Sequence, residues 1–262
     1  MKKSLLLLMV VLMSLALVAI AISAPINNVS GTKHNLSTSG TGSYKSSNED
    51  QICVFCHTPH QATGISTDPL WNHSLSTKTD GYGMYNSTTF NAGAAPQGQG
   101  TQVELSGNGT ALSNLCMSCH DGTQAVNSLY NPSNDIGANP TMSNAGFMTT
   151  ISTNANIGTD LSNDHPVNFT YDTALANLDG GLVDPATVAT CVTGNYATAI
   201  GQFVTDYPTA TSISAKLTPS NQFQCSSCHG AHIYYGGTQS GYSPFLKVNN
   251  VGSGLCLSCH CK

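Results

Sequence analysis

Cys53-Val-Phe-Cys56-His57-Thr-Pro-His60 decides how this chain is read. Two thiols three positions apart are followed at once by an imidazole, and a second imidazole comes three residues later. The pattern recurs as Cys116-Met-Ser-Cys119-His120, Cys225-Ser-Ser-Cys228-His229 and Cys256-Leu-Ser-Cys259-His260. Eight of the ten cysteines are used in this way. C-x-x-C-H is the attachment site of c-type haem. The two intervening residues let one backbone turn present both sulfurs to the vinyl groups on one porphyrin edge. The adjacent histidine then lies under the iron as its proximal ligand. A single copy arises by accident, and C-x-x-C alone serves zinc or redox chemistry. Four copies, each with its histidine, predict four haem c groups held by iron ligands His57, His120, His229 and His260.

Residues 1–24, MKKSLLLLMVVLMSLALVAIAISA, combine a Lys2-Lys3 head, a long apolar run and a small-residue end at Ala24. That is the pattern of a secretory signal peptide. No other apolar run in the sequence is long enough to span a bilayer. The mature chain is therefore expected to be exported, with no membrane span after cleavage. The lack of a twin arginine favours Sec-type export, and no cysteine follows the predicted cut to carry a lipid anchor.

Charged residues make up 8% of the chain, and none is arginine. Loss of Lys2 and Lys3 with the signal would take the formal net charge from −5 to −7. Nothing here neutralises a run of phosphates, which excludes nucleic acid as a partner. Ser, Thr, Asn and Gly are abundant, a composition of turns and loops. Low charge separately argues against simple disorder. A chain so poor in long apolar segments is expected to build its core around a large cofactor.

Nine histidines less the four proximal ones leave His34, His60, His73, His165 and His232 for four distal positions. An internal repeat selects among them. The first and third motifs continue as C-H-x-x-H, to His60 and His232. The second and fourth share Leu-Cys-x-Ser-Cys-His, and a lone histidine precedes each pair, His34 in KHNLS and His165 in DHPVNF. The chain thus reads twice as His … CxxCHxxH … LCxSCH, with four histidines per copy for the axial positions of two haems. Pro59 biases Thr58 away from helix, and His60 is too near along the chain to reach the far face of its own haem. The expected wiring sends His60 to the haem of Cys116 and Cys119, and His232 to that of Cys256 and Cys259. His34 and His165 would then cap the first and third haems. His73, outside the repeat, is the weaker distal candidate.

Full bis-histidine ligation points to electron transfer rather than catalysis. A haem that activates a small molecule needs an open or exchangeable axial position. Methionine is the competing ligand, at Met84, Met117, Met142 or Met148, but Met117 lies inside a haem motif and the others have no special context. No catalytic residue is expected. The protein's contribution is spacing, dielectric and local charge.

KHNLS, ICVFCHTPH, DPLWNH, YGMYNSTTF, LCMSCHDGT, DHPVNF, CSSCHGAH and FLKVNNVGSGLCLSCH resemble the multihaem c-type cytochromes with doubled C-x-x-C-H motifs. Within these the chain is most similar to the extracellular tetrahaem cytochrome nanowires of the OmcE type, over most of its mature length. The resemblance implies a fold that is mostly coil with short α-helices and few β-strands, wrapped around a row of four covalently bound haems. It also implies polymerisation with other copies of the chain, one axial histidine passing between subunits. Further implications are extracellular or cell-surface localisation, redox partner proteins, and acceptors such as metal oxides or electrodes. The alternatives are a soluble periplasmic electron shuttle and a multihaem reductase with one open haem.

The expected organisation is a signal at 1–24, a first dihaem module at 25–130, an Asn/Ser/Thr-rich linker at 131–160 and a second dihaem module at 161–262. Within the second module an insertion at about 180–217 carries strand-like runs at 187–190 and 212–215. Cys191 and Cys261 lie outside the haem motifs, and in an exported protein they either pair or remain free. Trp71, Tyr82, Tyr85, Tyr234 and Tyr235 are read as packing residues, with haem edges as the alternative.

Overall fold

The computed structural model describes residues 26–62, 70–92, 111–148, 155–186, 213–234, 244–248 and 250–261. The signal at 1–24 and the strand-like run at 187–190 lie outside them. Among the described residues the backbone is mostly coil. In chain order the elements are β1 (Ile26–Asn27), α1 (Ser113–His120), β2 (Phe169–Thr170), α2 (Thr173–Asp179), β3 (Gln222–Phe223), α3 (Cys225–Cys228), β4 (Ile233–Tyr234) and α4 (Gly254–Leu257). β1 pairs antiparallel with β4, and β2 with β3. No described helix is long and apolar enough to cross a membrane.

Local sequence explains the short helices. Three of them carry the thiols of motifs, and the first motif opens with a 3-10 turn at Cys53–Phe55. On a helical turn, residues three apart share a face, so both sulfurs of each C-x-x-C point the same way. α2 is bounded by its own chemistry: the Asp172 side chain accepts from the Leu175 N–H at 2.9 Å, and Gly180 closes the helix at φ 68°. An N-cap carboxylate satisfies an otherwise orphaned donor, and glycine takes the left-handed position without the cost other residues meet. The run at 212–215 is not a strand where described, since Ser214–Lys216 forms a 3-10 turn. Pro219, three residues on, cannot donate to a strand ladder.

The two halves of the chain interlock. β1, at the start of the described residues, is completed by β4 directly after His232, and the Asn28 N–H donates to the His232 carbonyl at 2.9 Å. The described part of the expected linker also folds back onto the first module. The Asn131 N–H donates to Asn72 Oδ1 at 2.8 Å, Thr141 N–H to Asn48 Oδ1 at 2.7 Å, and the Tyr44 hydroxyl to the Met148 carbonyl at 2.9 Å. Here Asn, Ser and Thr act as local hydrogen-bonding groups that satisfy irregular backbone, not as a spacer.

The apolar residues form four separate clusters, and each reaches a haem motif. Val54, Phe55 and Leu129 pack with Cys56; Tyr44, Val126 and Met148 with Cys119; Tyr82 and Leu161 with Met117. The largest joins Phe169, Tyr171, Leu175, Val183 and Phe223 to Cys228, Cys259 and Cys261. Leu36 and Met142 pack against both the Val54 and the Val126 clusters, and Val167 against both the Tyr82 and the Phe169 clusters, so neighbouring clusters adjoin one another.

Candidate functional site

The four motifs are consecutive neighbours in space. The thiols of the middle two touch: Cys116 bonds to Cys225, which raises the first and lowers the second to about 7. Burial pushes Cys56 up to about 12, with Cys119 and then Cys53 as its electrostatic neighbours. Burial likewise pushes Cys228 up to about 12, with Cys259 the strongest of its charged neighbours. Cys259 is raised by burial, with Cys256 adding to it. Electrostatic neighbours thus link Cys56 to Cys119, Cys116 to Cys225 and Cys228 to Cys259, so the motifs of the two halves meet at Cys116 and Cys225. All eight are free thiols.

A buried polar hub fixes the central contact. Gln224, directly before Cys225 and 2% exposed, accepts from the N–H and hydroxyl of Ser113 at 3.1 and 2.5 Å. Its amide donates to Asn168 Oδ1 at 2.8 Å, and the Cys225 N–H donates to Ser113 Oγ at 3.0 Å. The first turns of α1 and α3 are thereby tied together from opposite halves of the chain.

Imidazoles meet in pairs at one repeated distance. Ring centres of His57 and His232 are 6.1 Å apart, those of His34 and His120 6.2 Å, and those of His165 and His260 6.2 Å. A metal–imidazole bond of about 2 Å, with roughly 1 Å more to each ring centre, places two rings on opposite sides of one metal about 6 Å apart. Three of the paired histidines, and His229, have Nδ1 on a backbone carbonyl, as ligand histidines commonly do: His120 on Ala155 at 2.6 Å, His165 on Pro166 at 2.9 Å, His229 on Pro244 at 3.0 Å and His34 on Ala231 at 3.3 Å. Nδ1–H donating to a carbonyl leaves the Nε2 lone pair for a metal and fixes the ring. His34 also stacks on Phe245 at 4.5 Å, and burial first, then neighbouring imidazoles, lowers it to about 4. It is neutral, as a ligand must be.

These pairs differ from the wiring expected from spacing. His232 faces the first motif, not the fourth; His34 faces the second, not the first; His165 faces the fourth, not the third. The sequence argument treated each half as self-contained, whereas the β1–β4 pairing carries His232 across to His57. His60 is exposed, and among the described residues its ring has no partner; nor has His229 a second imidazole opposite it at the distance of the other pairs. His73 is fully buried, with Nδ1 2.7 Å from the Ser74 carbonyl and Nε2 2.9 Å from that of Ala125. Both nitrogens face oxygens, so His73 serves the packing of the first module and not an iron. Cys261 is disulfide-bonded, while Cys191 lies outside the described residues. Met117 and Met148 are buried in apolar clusters.

The residues fit a porphyrin-bound iron. Among the described residues no three His, Cys, Asp or Glu side chains converge as ligands for a bare ion. A haem iron takes four nitrogens from its porphyrin and asks the chain for two, which is what each pair offers. Sequence reading missed Phe245, Ser113 and Gln224, because ring stacking and a buried amide contact between distant segments leave no local signal. Compared with protein-family models and with curated proteins, the chain matches none.

Proposed function

We propose that the protein is an exported tetrahaem c-type cytochrome that carries electrons through bis-histidine haems and assembles into an extracellular conductive filament. The observation that carries this reading is the coincidence of three imidazole pairs at 6.1–6.2 Å with motifs of the two halves that meet at Cys116 and Cys225. Bound haem supplies one-electron iron chemistry. The chain's residues do the rest. Each cysteine pair would hold one haem covalently, the facing histidines His57 with His232, His34 with His120 and His165 with His260 would ligate the irons, and the carbonyls of Ala231, Ala155 and Pro166 orient His34, His120 and His165 for that role. Lys216, buried beside Cys228 and Cys259, adds a cation at the third and fourth motifs. Irons held by two histidines would leave no position for a substrate, which favours transfer over catalysis at the three paired motifs.

The internal repeat extends the same wiring between copies. His232, from the C-H-x-x-H of the second half, faces the first motif of the first half. His60 is its counterpart in the first half, and by the same relation it meets His229 of the next copy. That contact joins two different surfaces and propagates head to tail. Leu70, 53% exposed, and Tyr130, 59% exposed, flank His60; Leu70 accepts from the Thr58 N–H, and Asn131, next to Tyr130, donates to the His60 carbonyl. They supply the apolar surface such a contact needs.

One observation favours a second reading. If His60 stays in solvent, the haem of His229 keeps an open face and the protein becomes a shuttle or reductase. Protein sheared from cells, intact-mass analysis and electron paramagnetic resonance decide between them. We expect four haem masses, low-spin iron throughout and filaments in negative stain. His60→Ala should yield dispersed particles with one haem in four high-spin. A mass equal to the bare polypeptide overturns the haem assignment, and dispersed wild-type protein that takes up carbon monoxide overturns the filament.

A further inference from the structure

Trp71 is the sole tryptophan of the chain. Its backbone bridges antiparallel to His57, with the Thr58 N–H donating to the Leu70 carbonyl at 3.0 Å and the Asn72 N–H to that of Cys56 at 2.9 Å. The segment around Trp71 is therefore bound along the first motif, and the indole ring stands edge-on to the His57 ring, 6.3 Å between centres and 89° between planes. Its Nε1 is buried, and among the described residues it has no hydrogen-bond partner. An indole N–H can only donate, and a buried donor without an acceptor is rare enough in folded proteins to demand a partner. On the haem reading, the group beside His57 is the haem that His57 would ligate, and its two propionates are strong hydrogen-bond acceptors at its edge.

We infer that Trp71 Nε1–H donates to a propionate carboxylate of the haem on Cys53 and Cys56, making Trp71 a positioning residue for that haem. This rests on the haem reading above. A donor to the ionised form favours ionisation, and burial strengthens the effect by excluding competing water. In a chain without arginine, a neutral donor of this kind holds a carboxylate where no guanidinium is present. The bond also ties the propionate to the same segment that pairs with the proximal histidine, so one stretch of backbone sets both the ring and the edge of the first haem.

The test uses the full haem-loaded protein labelled with 15N-tryptophan, in which one indole N–H signal arises. In the reduced, diamagnetic state we expect that signal to resist hydrogen exchange and to shift once as pH is lowered through the propionate titration. Trp71→Phe keeps the ring and removes the donor; it should alter the propionate bending band of one haem in resonance Raman and move the pH inflection of one haem's potential upward. A pH-independent, fast-exchanging indole signal together with an unchanged Raman band would assign Nε1–H to water and overturn the inference. Four low-spin haems in that same sample keep such a result separate from failure of the haem reading, which would show instead as absent haem bands.

Discussion

Gln224→Met removes the hub that joins the second and third motifs while keeping nearly the same side-chain volume. In the native protein Gln224 Oε1 accepts from Ser113 N–H and Oγ–H, and its amide donates to Asn168 Oδ1. Methionine offers neither acceptor nor donor, so the N–H and hydroxyl of Ser113, 1% exposed, lose this acceptor. Each buried orphan costs about 1–3 kcal/mol. Ser113 Oγ keeps the Cys225 N–H as a donor to it, which holds the sum near the lower end, about 2 kcal/mol. Against a total stability of about 5–15 kcal/mol for an ordinary domain, that is a large loss. The assay is guanidinium unfolding of the haem-loaded monomeric His60→Ala background, followed by the Soret band and by far-ultraviolet circular dichroism. A fall in midpoint at constant slope is expected, because the slope reports exposed surface and not the bond. Electron exchange between the second and third haems should also slow, since the hub reinforces the Cys225 N–H to Ser113 Oγ bond that joins α1 to α3. A loss below about 1 kcal/mol, within the range of an ordinary solvent-satisfied bond, would refute the idea that the chain, and not only its haems, sets this spacing.

The wiring is checked in proteins lacking one haem. With Cys53 and Cys56 replaced by serine, adding His232→Gly should create no high-spin iron, whereas adding His34→Gly should create one; the reverse outcome restores the wiring first expected from spacing. Acid stability should follow His73. Burial holds its folded value below the ordinary 6.5, against opposition from the Ala125 and Ser74 carbonyls and Asp121. The unfolded ring therefore binds its proton first, and stability is full above pH 6.5 and lost as pH falls through the folded value. His73→Asn should lower the thermal midpoint at pH 7.5 and flatten its decline towards pH 4.5, read by calorimetry; an equal decline in both proteins would reject this. Cys261→Ser should cost about 2–4 kcal/mol, typical of a native disulfide, and make the unfolding midpoint insensitive to reductant.

The spacing of the C-x-x-C-H motifs, the coil-rich backbone and the repeat were legible because they are local or periodic. C-x-x-C-H states its geometry within five residues, and one helical turn delivers it, whether built as α-helix at Ser113–His120 or as a 3-10 turn at Cys53–Phe55. The wiring was not legible, and the reason is physical. Spacing limits how far a histidine can reach back to its own haem, yet it says nothing about which distant segment is brought to its other side. That choice is made by β1 pairing with β4, two residues against two, and by one buried glutamine. Such contacts pair residues about 110 to 210 positions apart, where loop closure adds only slowly to the entropic cost, so no composition or period announces them. The same reasoning locates the pressure towards assembly. Once His232 is spent across the halves, the repeat leaves one C-H-x-x-H histidine and one proximal histidine unmatched, at His60 and His229. On the proposed reading, His60 and His229 are the two positions that a second copy would have to satisfy, and His60→Ala is the substitution that should abolish that contact.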